Sequence, residues 1–337
     1  MSAADASVSR GGSIGSLRDA AGGRPLLWLS IALVIVAVVL GVTQGWTELA
    51  QATVNGIVAG NYYALGAVGL TLIFGVLRLV NFAHGEFLTL GAYLMLLFGY
   101  FDLPLIAAAV FGVAATAVFS LALEISVWRP VRRRGAGELQ LLLFALGLAF
   151  FMRNAIAFVA TSEDRQTPAD VTASVSIGAL RIGRTELIVT LLGIAVIVLV
   201  AIGLRSSFLG KQMRALADDI DLAETTGIDT NRIVLITWAV SGALAGLAGI
   251  FYALPAGAVN PNLGFSLILS IFAAVVVGGI GNAYGALAGG LLIGLVQEWS
   301  TLVIEPSVKV AVGFAMLILV LLVRPQGLFG RARSVDR

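Results

Sequence analysis

Apolar runs follow one another along almost the whole 337-residue chain, and the charged residues are confined to the gaps between them. Hydrophobic residues make up 59% of the sequence and charged residues 12%, which is about half the charged fraction of a typical soluble domain. A chain of this composition cannot be covered by polar surface in water. The sequence therefore predicts a protein embedded in a lipid bilayer.

The lengths of the apolar runs favour helices over barrel strands. A helix needs about 20 mostly apolar residues to cross the hydrocarbon core, where lipid offers the backbone no hydrogen-bond partner. The runs occupy residues 25–43, 62–80, 104–128, 139–160, 187–204, 233–254, 263–282, 284–303 and 307–323, with a shorter one at 87–101. They are too long for barrel strands. We therefore predict an all-α polytopic membrane bundle of about eight to ten spans.

The distribution of basic residues predicts the orientation of the spans, because Lys and Arg collect in short cytoplasmic loops. With ten crossings, 16 of the 21 basic residues fall on one face of the membrane, which we assign to the cytoplasm together with both termini. The predicted parts are a disordered cytoplasmic N-tail at 1–24, a membrane domain at 25–323 and a cytoplasmic C-tail at 324–337. The domain includes a cytoplasmic loop at 205–232 and an extracytoplasmic cap at 161–186, where residues 175–182 predict a short hairpin.

Two polar or glycine-rich interruptions break the apolar pattern, one in each half of the chain. Each follows an apolar run and precedes a glycine-containing one, and such pairs are typical of broken or re-entrant helices beside a substrate path. Ordinary turns and close packing of small residues are the alternative. For Glu86 the alternative is a cap on the following helix. The residues assigned to the path are Asn81, Phe82, His84, Glu86, Gly278, Gly279, Gly281 and Asn282.

The cytoplasmic loop contains an amphipathic pattern. Between Met213 and Ala223 the apolar residues recur at spacings of three and four, which predicts one helix at the membrane surface with its aspartates facing away. Gly227 follows in the position of a helix C-cap. Clustered aspartates also occur in membrane transferases that hold magnesium and a pyrophosphate, but those enzymes normally carry a second cluster. The pattern therefore favours a contact element over an active site.

The sequence lacks the residues that several kinds of catalysis and metal binding require. It contains no cysteine and a single histidine, His84, so it offers neither thiolate chemistry nor a multi-histidine metal site. The phosphate-binding pattern GxxxxGKS/T does not occur. We therefore predict no catalytic residue, no metal and no cofactor bound by this chain. The net charge of +2 reflects loop bias and predicts no nucleic-acid partner.

Seven short motifs follow one another between residues 47 and 330. They are GNYYAL at 60–65, GLTLIFG at 69–75, VNFAHGEF at 80–87, GKQMRA at 210–215, Asn260-Pro261 with Gly264-Phe265, VGGIG at 277–281 and VRPQGLFG at 323–330. In this order they resemble the permease subunits of branched-chain amino acid ABC transporters, in the LivH-type branch.

The resemblance implies a function and a set of partners. It implies an importer permease in the bacterial inner membrane for branched-chain or other neutral amino acids. Its partners would be a second homologous permease subunit, two cytoplasmic ATPases that use ATP and magnesium, and an extracytoplasmic solute-binding protein. A urea or short-chain amide permease, which shares the motif at 80–87, is an alternative, and so is an ATP-independent secondary transporter.

The resemblance also implies how the cytoplasmic loop works. ABC permeases carry a coupling motif of the form EAAxxxG, and Asp221, Ala223 and Gly227 match its spacing although its glutamate and first alanine are missing. The residues that this resemblance assigns to coupling with the ATPases are Met213, Arg214, Leu216, Ala217, Asp221, Ala223 and Gly227.

Overall fold

The structure, a computed structural model, describes residues 25–330. The predicted N-tail at 1–24 and residues 331–337 of the predicted C-tail lie outside the described part. The first half of that part contains α1 Pro25–Gln44, α2 Trp46–Leu77, α3 His84–Gly99, α4 Leu105–Leu123, a π-helical turn Glu124–Trp128, α5 Arg129–Arg133, α6 Glu138–Ala160 and α7 Arg184–Ser206. The second half contains α8 Phe208–Asp218, α9 Ile220–Thr225, α10 Thr230–Ala256, α11 Leu263–Gly278, α12 Ala283–Ser300, a 3-10 turn Pro306–Val308 and α13 Lys309–Val323.

Strands are a minor part of the described chain, and the all-α prediction is confirmed. Strands β2 Ser174–Ile177 and β3 Leu180–Gly183 form an antiparallel hairpin, as the pattern at 175–182 predicts. Strand β1 Arg165–Gln166 pairs antiparallel with β4 Ala258–Val259. The side-chain amide of Gln51 exchanges two hydrogen bonds with the backbone of Arg181, at 2.8 and 2.9 Å, and so ties the hairpin to the first turns of α2.

Helix lengths separate full spans from short helices. Six helices of the described part are long and apolar enough to cross a bilayer: Trp46–Leu77, Leu105–Arg133, Glu138–Ala160, Arg184–Ser206, Thr230–Ala256 and Pro306–Val323. Helices α3 and α11 have 16 residues each. At 1.5 Å per residue they rise about 24 Å, less than the hydrocarbon thickness of about 30 Å. These two match the prediction of two re-entrant helices in the bundle.

Helix α2 is the central element of the bundle. It has 32 residues and begins at Trp46, well before the predicted apolar run at 62, because small residues of its first half, such as Ala52, Gly56 and Gly60, are buried against other helices. Its antiparallel neighbour α12 approaches closely through glycine. A Cβ at Gly60 would lie 2.8 Å from the Cα of Leu291, and a Cβ at Gly56 would lie 2.9 Å from that of Leu295. Small residues at such crossings let helix backbones touch, which is the main source of attraction between helices in lipid.

The outer helices present apolar side chains to the surroundings. Phe158 on α6 and Ile106 on α4 are among the most exposed residues, at 90% and 80%. Large apolar side chains on the outside are expected where hydrocarbon replaces water as the solvent. The buried core lies between α2, α3, α10, α11 and α12, and it contains most of the buried polar residues.

Candidate functional site

The two short helices meet at their N-terminal ends. A Cβ at Gly85 on α3 would lie 2.8 Å from the carbonyl oxygen of Gly264 on α11, and a Cβ at Gly264 would overlap with the carbonyl oxygen of Gly85. The ring of Phe82 lies 4.5 Å from that of Phe272, and the Gly264 N–H donates to Thr89 Oγ1 at 2.9 Å. Phe82, just before α3, contacts Phe272, whereas Thr89, further along α3, contacts Gly264. Residue numbers therefore rise along one segment as they fall along the other. The helices are therefore antiparallel and overlap only near their N-termini.

Polar contacts join this crossing to the longer helices. His84 Nε2 lies 3.0 Å from the carbonyl oxygen of Gly66 on α2. Three residues further along α2, Ser241 Oγ of α10 donates to the carbonyl oxygen of Gly69 at 2.8 Å. Both side chains are fully buried. The start of α3 is thus attached to the middle of α2, deep inside the bundle rather than at its surface.

Several buried polar atoms near the crossing have no hydrogen-bond partner among the described residues. They include both amide atoms of Asn81, the Nδ1 atom of His84 and Oε2 of Glu86, whose side chain is 1% exposed. Leaving such a group unpaired in a core costs about 1–3 kcal/mol. Unpaired groups of this kind in a native structure therefore call for an explanation, such as a water or a ligand.

Glu86 does not cap α3 through a hydrogen bond. The first amides of that helix are bonded within the chain, with His84 N donating to Asn81 O at 3.2 Å and Glu86 N donating to Ala83 O at 3.1 Å. The carboxylate therefore has no backbone donor to satisfy, which removes the hydrogen-bonded form of the capping alternative.

Arg153 of α6 reaches the same region, which sequence reasoning missed. It donates to the side-chain oxygen of Asn262 just before α11, and its guanidinium lies 4.6 Å from the ring centre of Phe265. The sequence offers only a single arginine inside an apolar run as a signal, and nothing in that run indicates its partners.

The second predicted interruption lies elsewhere. Helices α11 and α12 form a tight hairpin around residues 279–282, and the C-terminal segment packs on it: Leu328 N donates to Val277 O at 2.8 Å and Phe329 N to Gly278 O at 3.0 Å. Gly281 lies against Gly75, nine residues beyond Gly66 on α2 and so about 14 Å away along that helix. The two interruptions thus do not meet. The segment that does meet residues 81–86 is 260–265.

The loop at 205–232 forms two helices, and the prediction of one continuous helix from Met213 to Ala223 is wrong. The chain turns at Asp219, whose backbone is extended and whose carboxylate accepts from Leu222 N at 3.0 Å as the N-cap of α9. An aspartate favours that position because its oxygen satisfies an amide that has no partner within the helix.

The two helices keep the predicted division between buried and exposed faces only in part, because Ile220, predicted on the apolar face, is 41% exposed. Met213, Leu216 and Ala223 are buried together with Val76 of α2 and Ile233 of α10. The aspartates of the loop face outward, and so do Ile220 and Leu222, with Leu222 63% exposed. An exposed leucine among acidic groups at the end of a bundle is typical of a surface that contacts another protein.

Gly227 ends α9 as predicted. Its φ is +85°, Gly227 N donates to Glu224 O at 3.0 Å, and Ile228 N donates to Ala223 O at 3.2 Å. This pair of bonds is the Schellman motif, whose left-handed residue is usually glycine because a Cβ is strained there.

One cavity brings together two sets of predicted residues. Its volume is about 930 Å³, and it lies between the end of α2, the loop helix α8 and the α11–α12 turn. From the loop it is lined by Met213, Arg214 and Ala217, and from the turn by Gly281 and Asn282. The turn assigned to the path and the loop assigned to coupling therefore share one space, which is distinct from the α3–α11 crossing.

The described residues contain no group of three or more His, Cys, Asp or Glu side chains that could hold a metal ion. A helical membrane bundle in which two short helices meet, with a polar loop packed on one end, is typical of membrane transport proteins. The family described as the branched-chain amino acid transport system permease component matches residues 52–321. The chain belongs to that family.

Individual relatives agree with this assignment. The chain is 32% identical to the high-affinity branched-chain amino acid transport system permease protein BraD of Pseudomonas aeruginosa, over 83% of this chain and 95% of the relative. It is 31% identical to the corresponding protein LivH of Escherichia coli K12, with the same coverage. A chain of PsaBC from Streptococcus pneumoniae in complex with Fab matches with a TM-score of 0.43 and 16% identity, over 87% of this chain and 97% of that one, which is too distant to carry an argument. The protein is a multi-pass permease subunit of an ABC importer in the bacterial inner membrane, and not itself an enzyme.

Proposed function

We propose that this chain forms part of the path by which an importer moves branched-chain or other neutral amino acids across the inner membrane. The observation that carries the proposal is the crossing of α3 and α11 at Gly85 and Gly264, with unpaired polar atoms of Asn81 and Glu86 buried beside it. Solute sites in transporters often lie where short or interrupted helices meet inside a bundle.

The chemistry of this region suits a zwitterion with an apolar side chain. The Glu86 carboxylate has an unpaired oxygen that accepts from an ammonium group, and Arg153, held at the start of α11 by Asn262 and Phe265, donates to a carboxylate. The rings of Phe82 and Phe272 give apolar surface nearby. In the present conformation the helices touch at Gly85 and Gly264, so the solute passes only after α3 and α11 separate.

The loop helices α8 and α9 are the part of the chain that receives the energy of ATP hydrolysis. We assign that hydrolysis to two separate cytoplasmic ATPase subunits, which hold the ATP and magnesium. Leu222, Asp221 and Gly227 form the exposed end of the loop and dock on these subunits. Met213 and Leu216 form its buried side, in contact with Val76 of α2.

A continuous set of contacts leads from the loop to the crossing. Met213 packs on Val76 near the C-terminal end of α2. The same helix carries Gly66, whose carbonyl oxygen is bonded to His84 at the start of α3. Because α2 is a single rigid helix between these points, a displacement of α8 shifts the start of α3 relative to α11. Residues 278–282 lie beside the loop rather than beside the crossing, so their role is to shape the adjoining cavity.

The remaining partners follow from the two ends of the bundle. The end that bears the loop faces the cytoplasm, as the basic residues predict, and both termini lie on that side. The opposite end bears the β2–β3 hairpin, held to α2 by Gln51, and an extracytoplasmic solute-binding protein docks there. A second homologous permease subunit completes the path.

Uptake by the reconstituted assembly tests the proposal. The full-length chain is co-expressed with its neighbouring genes, purified with the subunits that accompany it, and placed in liposomes with ATP inside and the binding protein outside. We expect ATP-dependent uptake of leucine, isoleucine or valine, and none under an ion gradient without ATP. Uptake of urea or acetamide in place of the amino acids would reassign the substrate. Uptake by the chain alone under an ion gradient would contradict the ABC mechanism.

A further inference from the structure

A second cavity lies on the other side of the loop from the 930 Å³ space. Its volume is about 270 Å³, and it is bounded by the end of α2, the α8–α9 junction, the start of α10 and the continuation of α4 through the π-helical turn into α5. Four charged residues line it: Glu124, Arg129, Arg132 and Arg133. The other lining residues are mostly apolar.

The charges of this cavity do not balance. Glu124 is 1% exposed and is bonded to Arg132, which neutralises one of the three arginines. Arg129 donates to the side-chain oxygen of Asn231 at 2.7 Å, which fixes its direction without cancelling its charge. Arg133 has no ion pair or side-chain hydrogen bond to any residue between 25 and 330. Two positive charges therefore remain around one partly open cavity.

The local backbone presents these arginines to the cavity. The helix that begins at Leu105 widens into a π-helical turn at Glu124–Trp128 before it continues through Arg129–Arg133. Such turns are rare and frequently occur at functional sites. Basic residues also favour helix C-termini for electrostatic reasons alone. Arg134 supplies a positive charge at this helix C-terminus without lining the cavity. The preference for basic residues at helix ends therefore does not explain why three arginines line the cavity.

We propose that this cavity binds the phosphate group of an anionic phospholipid. The planar fork of an arginine matches two phosphate oxygens at once, and basic pockets between membrane helices are suited to phospholipid headgroups. The helix that carries the lining residue Glu124 also exposes apolar side chains where acyl chains can lie. Ile125 and Val118, seven residues apart and so on the same face of the α4 continuation, are 54% and 65% exposed.

The bound lipid also contacts the loop. Leu216 of α8 and Ile220 of α9 line the cavity on either side of the turn at Asp219. A headgroup held between them and the arginines anchors the loop to the membrane surface. Anionic lipid therefore limits the movement of α8 and α9 relative to α4.

Lipid retention by the full-length chain tests the proposal. The protein is placed in nanodiscs of phosphatidylcholine with a minor fraction of phosphatidylglycerol, and the lipids that stay bound are identified by native mass spectrometry. We expect phosphatidylglycerol to be enriched, with about a fivefold loss of affinity in Arg133→Gln. Arg134→Gln is the matched control, because it removes an equal charge one residue away from the cavity, and it should retain lipid as the wild type does.

Each other outcome overturns the proposal. No enrichment of phosphatidylglycerol in the wild type, or equal losses in Arg133→Gln and Arg134→Gln, would leave the cavity without a specific lipid. Displacement of phosphatidylglycerol by millimolar inorganic phosphate would assign the site to a free phosphate compound instead. Thermal unfolding of both variants in the same detergent verifies that they are folded. The measurement involves neither ATP nor solute uptake. A result that overturns the lipid proposal therefore leaves the transport proposal unaffected.

Discussion

Gly85 and Gly264 touch backbone to backbone at the crossing of two helices that each extend only part of the way across the bilayer. Both helices have 16 residues, and Gly264 N also donates to Thr89 Oγ1 at this crossing. Because neither glycine carries a side chain, the two backbones approach closely and have little to interlock there, which suits a contact that opens and closes.

Gly264→Ala should block transport. The added Cβ overlaps with the carbonyl oxygen of Gly85, and overpacking of this kind costs about 1–3 kcal/mol, so α3 and α11 are forced apart. We expect substrate uptake to be lost while the protein still inserts in the membrane. The matched control is Gly147→Ala on α6, where a Cβ meets nothing within 4 Å and a helix-interior alanine is favourable by about 0.5–1 kcal/mol. Equal uptake by both variants would remove the crossing from the path.

Glu86→Gln should reduce uptake more than it reduces expression. The substitution keeps the shape of the side chain and removes the charge that accepts from the ammonium group of the solute. Loss of one charged hydrogen bond is worth about 2 kcal/mol, or on the order of 30-fold in uptake at limiting solute. Glu48→Gln removes an equal charge from the exposed first turn of α2 and should be neutral. Unchanged uptake in Glu86→Gln would make Glu86 a structural residue only.

Leu222→Ala should separate ATP hydrolysis from transport. The side chain is 63% exposed on the loop and makes no contribution to the buried cluster around Met213, so folding is unaffected. Truncation of a central apolar contact at an interface costs about 2 kcal/mol. We expect weaker co-purification of the ATPase subunits and a matching fall in uptake. Leu199→Ala, on the exposed face of α7, serves as the control for loss of an exposed leucine.

Asp219→Ala should loosen α9. Its carboxylate caps the helix through Leu222 N, and loss of such a cap costs about 1 kcal/mol. Hydrogen exchange of the amides at 220–226 should therefore speed up about fivefold. Asp218→Ala removes a neighbouring charge without a cap and should exchange as the wild type does. Loss of magnesium binding in either variant would instead favour the transferase alternative.

Asp170 should order the cap loop in a pH-dependent way. Its carboxylate accepts from Thr172 Oγ1 and Thr172 N at 2.7 and 2.9 Å, and these bonds hold the pKa of Asp170 below its usual value. A depressed pKa means that the stabilisation is complete at neutral pH and is lost as the pH falls through the folded-state pKa. Amides at 172–173 should exchange faster in Asp170→Ala than in the wild type at pH 7. The difference should vanish in acid, and a difference that persists there would contradict the carboxylate's role.

Much of the fold follows from local pattern. The apolar runs, the short hairpin at 175–182 and the glycine stop at Gly227 each depend on residues that are neighbours in sequence, and each is confirmed. In the amphipathic loop the burial of Met213, Leu216 and Ala223 is confirmed, whereas the burial of Ile220 and the continuity of the helix are not. Spacing at three and four residues predicts the helix period, whereas Asp219 has the side chain to cap a new helix, and its capping geometry interrupts the pattern.

The site was harder to predict, because its contacts join segments far apart in sequence. Residues 81–86 were correctly singled out as an interruption, but their partner is 260–265 rather than 278–282. Both candidates contain small residues and asparagine, so composition does not distinguish them. Arg153 was missed as a partner of Asn262 and Phe265 for the same reason.

The sequence alone determined that this chain is a helical membrane protein and which family it resembles, because those properties depend on local apolar periodicity and on short motifs. Only the tertiary structure decided where α2 begins, that the loop forms two helices, which interruptions meet, which buried polar groups lack a partner, and that Arg129, Arg132 and Arg133 line one cavity. These depend on helix packing between residues more than a hundred positions apart, and in lipid that packing is set by close backbone contact rather than by any pattern that a single segment displays.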